Sequence, residues 1–242
     1  MTPTRLRVAY RALPDGMRAD VAIVIDVLRA TTTALAALEA GVPSIRAVAE
    51  LEHARAMASR GMLVAGERRG LRVQEFAFGN SPVEIAAAGP LGRTLVLCST
   101  NGSRALSGVT ARAAFAGCIR NAAASARAAT RAADHGEGIL LQGSGQDGKP
   151  TAEDEIAAGA IIAALTALPL TLEEDEEARR AHNAWLAASA EPAEALLATP
   201  HGSYLASLGL TEDVRYAAAL DASPNVVAVR DGVLTLVRRE RG

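Results

Sequence analysis

Short apolar runs alternate with longer helical stretches along this 242-residue chain, and that alternation limits the fold more than any other feature. Residues 6–10, 21–25, 45–48, 62–65, 94–98, 113–116 and 138–142 read as strands. Residues 32–40, 51–60, 82–88, 121–133 and 152–168 carry helical spacing. Strands separated by helix-length crossovers favour parallel pairing, with helices covering both faces of the sheet. The expected fold class is therefore α/β: a three-layer α/β/α unit with a largely parallel or mixed sheet. Beyond residue 168 the pattern changes. Residues 172–190 read as one charged helix opening on an acidic run, 200–220 as two short helices, and 226–237 as a hairpin turning on Asp231-Gly232. Residues 1–242 are expected to form one domain, with a helical C-terminal lobe at about 170–220.

Half the residues are hydrophobic but only 3% are aromatic, so the core must be aliphatic. A net charge of −2 gives no field for nucleic acid or an anionic membrane, and neither is an expected partner. No apolar run approaches the roughly 20 residues of a membrane span. The N-terminus shows no signal-like apolar segment, and the two cysteines lack metal-ligand spacing. A cytoplasmic protein is expected, and a homodimer on base rates alone. The histidines (His53, His135, His182, His201) lie apart, which argues against a histidine zinc site, and His201 reads as a surface residue.

Polar clusters follow the strand-like runs, where open α/β sheets place their ligands. After 21–25 come Asp26, Arg29, Thr31, Thr32 and Thr33, leading into a helix. Helix-start amides attract anions, arginine can grip phosphate bidentately, and Asp26 can hold a metal or act on the substrate. The competing reading is a solvated Asp and a Thr N-cap. Glu67 and Arg68 lie between Gly66 and Gly70 in what reads as a charged turn. Ser81-Pro82-Val83-Glu84 has the form of a capping box, which leaves Asn80 for a ligand. Cys98 through Arg104 matches the Cys-x5-Arg loop of cysteine phosphatases at its two fixed positions, although an Asn-Gly anion loop using Thr100, Asn101 and Gly102 is the simpler reading. Finally, the glycine-rich 143–149 leads to Thr151, Glu153 and Asp154. Those acids suit a helix dipole or could ligate magnesium.

In this order the clusters resemble the 2-phosphosulfolactate phosphatase family. The resemblance rests on Asp-Val-Leu-Arg-Ala-Thr-Thr-Thr at 26–33, Gly-Glu-Arg-x-Gly at 66–70 and Phe-x-Phe-Gly-Asn-Ser-Pro-x-Glu at 76–84. It continues with Thr-Asn-Gly-Ser-Arg-Ala at 100–105, Gly-x-x-x-x-Glu-Asp at 148–154 and the stretch from Tyr204 to Asp213. It implies a Mg²⁺-dependent α/β/α hydrolase that releases phosphate from a phosphorylated sulfolactate, or a related hydroxy acid, in coenzyme M synthesis. On that footing Asp26, Arg29 and Glu67 are the expected catalytic residues. Mg²⁺ would sit on carboxylates drawn from Asp26, Glu67, Glu153 and Asp154, with Asp26, Glu153 and Asp154 the expected set. Thr31, Thr32, Asn80, Ser81, Thr100, Asn101 and Gly102 would bind the phosphorylated substrate, and Arg68 or Arg104 its second anionic group. Two alternatives remain: a cysteine phosphatase using Cys98 and Arg104, and a non-catalytic oxyanion-binding protein.

Overall fold

Aliphatic strands and alanine-rich helices assemble in the computed structural model, which describes residues 5–14, 19–133 and 138–237. The first half runs β1 (Arg5–Arg11), β2 (Ala19–Ile25), α1 (Ala30–Glu39), β3 (Ile45–Ala47), α2 (Leu51–Ser59), β4 (Leu63–Arg68) and β5 (Leu71–Arg72). Then come α3 (Pro82–Ala87), β6 (Leu95–Cys98), α4 (Gly102–Gly108), β7 (Ala111–Gly117), α5 (Ala122–Ala132), β8 (Gly138–Gly143) and α6 (Ala152–Thr166). The remainder is β9 (Thr171–Glu174), α7 (Glu176–Ala188), α8 (Pro192–Leu197), α9 (Pro200–Ser207), α10 (Thr211–Ala217), β10 (Val227–Arg230) and β11 (Val233–Leu236). His135 lies outside the described residues.

One 11-stranded sheet has the order β5-β4-β6-β3-β11-β10-β7-β2-β8-β1-β9, flanked by helices in an α/β/α arrangement. The sheet is mixed in a specific way. Strands β4, β6 and β3 form one parallel block, and β7, β2, β8, β1 and β9 form another. The β10–β11 hairpin joins the blocks through antiparallel pairings at β3/β11, β11/β10 and β10/β7. Three reversals make the two blocks run in opposite directions. The Asp231-Gly232 turn has both residues at positive φ, as the sequence predicts for a tight hairpin.

Helix α1 is buried from Ala30 through Leu38, its three threonines included. Helix α6 is nearly as enclosed and packs closely on α7. A Cβ at Gly159 would collide with the Ala181 carbonyl, so glycine sets that approach. Leu196, Leu205 and Val214 of α8, α9 and α10 join the same core as the sheet.

Two departures from the sequence reading involve charged segments. Residues 171–174 are a strand, not the start of a helix. Carboxylates of the strand and of the residue after it find partners on β1: Arg5 meets Glu173 at 2.8 Å and Arg11 meets Asp175 at 2.5 Å. The open edge of β1 thereby gains a partner strand. Asp175 then caps α7, accepting the Ala178 amide at 2.7 Å. Strand β4 also runs on through Glu67 and Arg68, so the turn is confined to Arg69 and Gly70, both at positive φ.

Candidate active site

The ends of β2, β4, β6 and β8 and the start of α6 and α9 enclose a cleft of about 400 Å³. Asp26, Arg29, Glu67, Arg68, Asn80, Thr100, Asn101, Glu153 and Asp154, all singled out in the sequence, line it together. Thr31, Thr32, Ser81, Gly102 and Arg104 do not line it.

The Asp26–Thr33 segment is held mainly by its own polar groups. The Asp26 Oδ1 accepts the Ala30 amide at 2.9 Å. The Thr31 hydroxyl donates to the Asp26 carbonyl and accepts the Asp26 amide, and the Thr32 hydroxyl donates to the Val27 carbonyl. Both hydroxyls are buried, so neither is available to phosphate in this structure. Arg29 is also enclosed. Its Nη1 donates to Asp213 Oδ2 at 2.7 Å and its Nη2 to the Gly70 carbonyl at 2.7 Å. The other Asp213 oxygen accepts from Ser81 Oγ at 2.6 Å, while Ser81 caps α3. Only half of the expected capping box is present, because the Glu84 carboxylate accepts the Gly79 amide and not that of Ser81, and Asp213 takes the serine hydroxyl's own proton.

Glu67 is similarly engaged. Its Oε2 accepts the Gly70 amide, and its Oε1 accepts both the amide and the hydroxyl of Thr100. Arg68 donates to the Glu67 carbonyl at 2.6 Å and to Cys98 Sγ at 3.4 Å, and still lines the cleft. Gly102 lets the start of α4 approach Asp26, because a Cβ there would collide with Asp26 Oδ2 and Ala30 Cβ. Arg104 is exposed on α4. Cys98 is fully buried outside the cleft, and burial pushes its thiol above the usual cysteine range. A thiolate nucleophile paired with Arg104 does not fit that geometry.

Asp26, Glu153 and Asp154 line the cleft near enough to feel one another's charge. Asp154 is the anchor of this group. Its Oδ1 accepts the Val27 amide at 2.9 Å, and its Oδ2 faces the Ser144 amide and hydroxyl and the Gly145 amide. Burial, then the charges of Asp26 and Glu153, push its pKa up to about 8, although the amide donors pull the other way. Burial likewise raises Asp26 and Glu153 above the carboxylate range. Both shifts mark charge held out of water, which a bound cation would relieve.

Among the described residues, no three Asp, Glu, His or Cys side chains converge to cage a metal ion by themselves. Mg²⁺ usually keeps several waters and takes one or two carboxylates. Asp26 Oδ2 and the Glu153 carboxylate fit that requirement. Asp154, with both oxygens occupied, fits an orienting role.

The sequence marked the 143–149 loop and Thr151 as a polar cluster but gave no ligand role to Ser144 through Asp147, Thr151, His201 or Tyr204, which also line the cleft. His201, read as a surface residue, is only partly exposed and faces the cleft. Asn80 Oδ1, Thr151 Oγ1 and His201 Nδ1 are buried atoms without a hydrogen-bond partner. The sequence cue for His201 was its position near a helix start, behind Thr199 and Pro200.

Comparison with known proteins places the chain in a consistent group. A family model described as 2-phosphosulpholactate phosphatase matches residues 9–232. A protein of Deinococcus radiodurans named "probable 2-phosphosulfolactate phosphatase" is 40% identical over 222 residues, covering 90% of this chain and 91% of the relative. Proteins with the same name from Carboxydothermus hydrogenoformans (39% over 202 residues, 82% of each chain) and Thermus thermophilus (35% over 216 residues, 88% of this chain and 90% of the relative) are also similar.

Proposed function

This chain belongs to the 2-phosphosulfolactate phosphatase family, and on that premise we propose that it is a Mg²⁺-dependent phosphatase. Its substrate would be 2-phospho-3-sulfolactate or a closely related phosphorylated hydroxy acid. The products would be inorganic phosphate and sulfolactate, a step of coenzyme M synthesis. The observation that carries this reading is the pair of buried carboxylates, Asp26 and Glu153, sharing a cleft with Arg68 and Asn101.

Phosphate-monoester hydrolysis requires charge neutralised on the phosphoryl oxygens and an in-line attack. Mg²⁺, when bound by Asp26 and Glu153, would neutralise phosphoryl charge as a Lewis acid. Arg68, Asn80 and Asn101 bind the phosphoryl oxygens. Asp154 orients the Ser144–Gly145 loop and the Val27 amide, holding Asp26 in place. Arg29, fixed between Asp213 and Gly70, is part of the cleft wall and holds its shape. Buried thiols at Cys98 and Cys118 suit a reducing compartment such as the cytoplasm. No helix among the described residues is long and apolar enough to cross a membrane. A symmetric homodimer is the assembly we expect.

Phosphate release from 2-phosphosulfolactate should be abolished by EDTA and restored by Mg²⁺. Asp26→Asn should lower the rate at least about 10²-fold with the fold intact by circular dichroism. Turnover that resists EDTA would remove the metal from this account, and no release at all would remove the substrate. Phosphate trapped covalently on Asp26 would make that residue the nucleophile instead of a ligand.

A further inference from the structure

We infer that Thr151 and His201 form a subsite for the acid end of the substrate, the carboxylate or sulfonate of the hydroxy acid, distinct from the place of the phosphoryl group. This rests on the phosphatase reading above. The first observation concerns Thr151. It is the N-cap of α6, yet its side chain makes no capping hydrogen bond. Ser81, Asp175 and Thr199 all cap their helices with their side chains. The Thr151 hydroxyl is instead a buried atom left without a partner. A buried hydroxyl without a partner is costly unless something arrives to meet it.

The second observation is His201, brought in from a different element. Thr199 caps α9 through the Gly202 amide at 3.0 Å, and His201 follows in the first turn. Its Nδ1 is also buried and unpartnered. Thr151 and His201 together line the main cleft and a second, adjoining cleft of about 400 Å³. They stand where the two join. Lys149, the chain's sole lysine, lines the adjoining cleft together with Asp147 and Glu153, so recognition there falls to directed donors and not to a net positive field. The amide end of the 15-residue α6 opens on the same spot.

Charge separation decides which end of the substrate goes there. A 2-phospho-3-sulfolactate carries its phosphoryl group on the central carbon between a carboxylate and a sulfonate, and these anions repel unless held apart. Arg68 and Asn101 lie on the β4–β6 side of the cleft, whereas Thr151 and His201 enter from α6 and α9. A hydroxyl and an Nδ1–H are neutral donors suited to a second oxyanion, which they recognise by direction more than by charge.

The test is calorimetric titration of the Mg²⁺-loaded protein with sulfolactate and, separately, with inorganic phosphate. Thr151→Val and His201→Ala should weaken sulfolactate binding about tenfold. Affinity for inorganic phosphate should shift less than twofold. His201→Asn, which restores a donor near Nδ1, should recover part of the loss. Equal weakening of both ligands, or no weakening of sulfolactate, overturns the subsite, as does a wild-type protein that fails to bind sulfolactate. Failure of the phosphatase reading looks different: the wild-type protein binds sulfolactate through these residues yet releases no phosphate from its ester.

Discussion

The two walls of the cleft use polar residues in opposite ways. On the wall built from β2, β4 and β6, groups with ligand-binding chemistry are engaged within the protein. Arg29 holds Asp213 and Gly70, Glu67 holds Gly70 and Thr100, and Thr31 and Thr32 hold the backbone at Asp26 and Val27. On the wall built from α6 and α9, Thr151 and His201 have been left with unpartnered atoms. Most polar groups of the first wall shape the site, with Arg68, Asn80 and Asn101 left to face a ligand, whereas on the second Thr151 and His201 are both open to one. A residue's chemical type alone does not reveal which task it performs. Its remaining hydrogen-bonding capacity does.

The comparison is most exposed at Asp213. The Arg29–Asp213 pair is buried on both sides, with side-chain exposure of 3% each. Removing one partner of a buried ion pair typically costs about 3–5 kcal/mol, because the other charge is left uncompensated. Asp213→Ala should therefore lower unfolding stability by that amount in a denaturant titration. Arg29→Met with Asp213→Leu should recover much of it, since apolar replacement of both partners is often neutral. A single-variant loss under about 1 kcal/mol would mean that this wall is not the rigid one.

The second way to sharpen the contrast is pH. Asp154 has a folded-state pKa pushed up to about 8, against 3.8 for the ordinary group, and burial raises Asp26 and Glu153 as well. Between pH 4 and pH 8 the folded state therefore holds more protons on this cluster than the unfolded chain does. Stability of the metal-free protein should fall as pH rises across that window, by up to about 1.4 kcal/mol per pH unit for each proton involved. Added Mg²⁺ should raise Tm more at pH 8 than at pH 6, because the cation competes with those protons. A metal-free protein that gains stability between pH 5 and pH 8 would show that amide donors, not burial, control Asp154.

Much of the scaffold was legible in the sequence, and the reasons are local. The alternation of 21–25 with 32–40 announced β2 and α1, and Asp231-Gly232 announced a hairpin, because periodicity and turn chemistry act within a few residues. The opposed strand blocks were not legible. They depend on the C-terminal hairpin inserting between β3 and β7, a pairing across more than a hundred residues. The same limit applied to the site. The sequence brought Asp26, Glu67, Asn101 and Glu153 to one cleft by the strand-end rule, but could not show that Asp213 would take up Arg29. Residues 171–174 were misread for a related reason: an acidic run favours a helix start, and only the unpaired edge of β1 makes it a strand.

Thr31 supplies the finest test of the contrast. Its hydroxyl both donates to the Asp26 carbonyl at 2.9 Å and accepts from the Asp26 amide at 3.2 Å. Thr31→Val keeps the shape and removes both bonds, leaving a buried amide without its acceptor. A loss of about 1–2 kcal/mol in stability is expected. Because the hydroxyl does not line the cleft, the Kd for inorganic phosphate should move less than twofold. Thr31→Ser, which keeps the hydroxyl, should retain most of the stability. If Thr31→Val instead weakens phosphate binding tenfold while Tm is unchanged, the hydroxyl belongs to the ligand. The hydroxyl would then join Arg68 and Asn101 among the ligand-facing groups of the first wall.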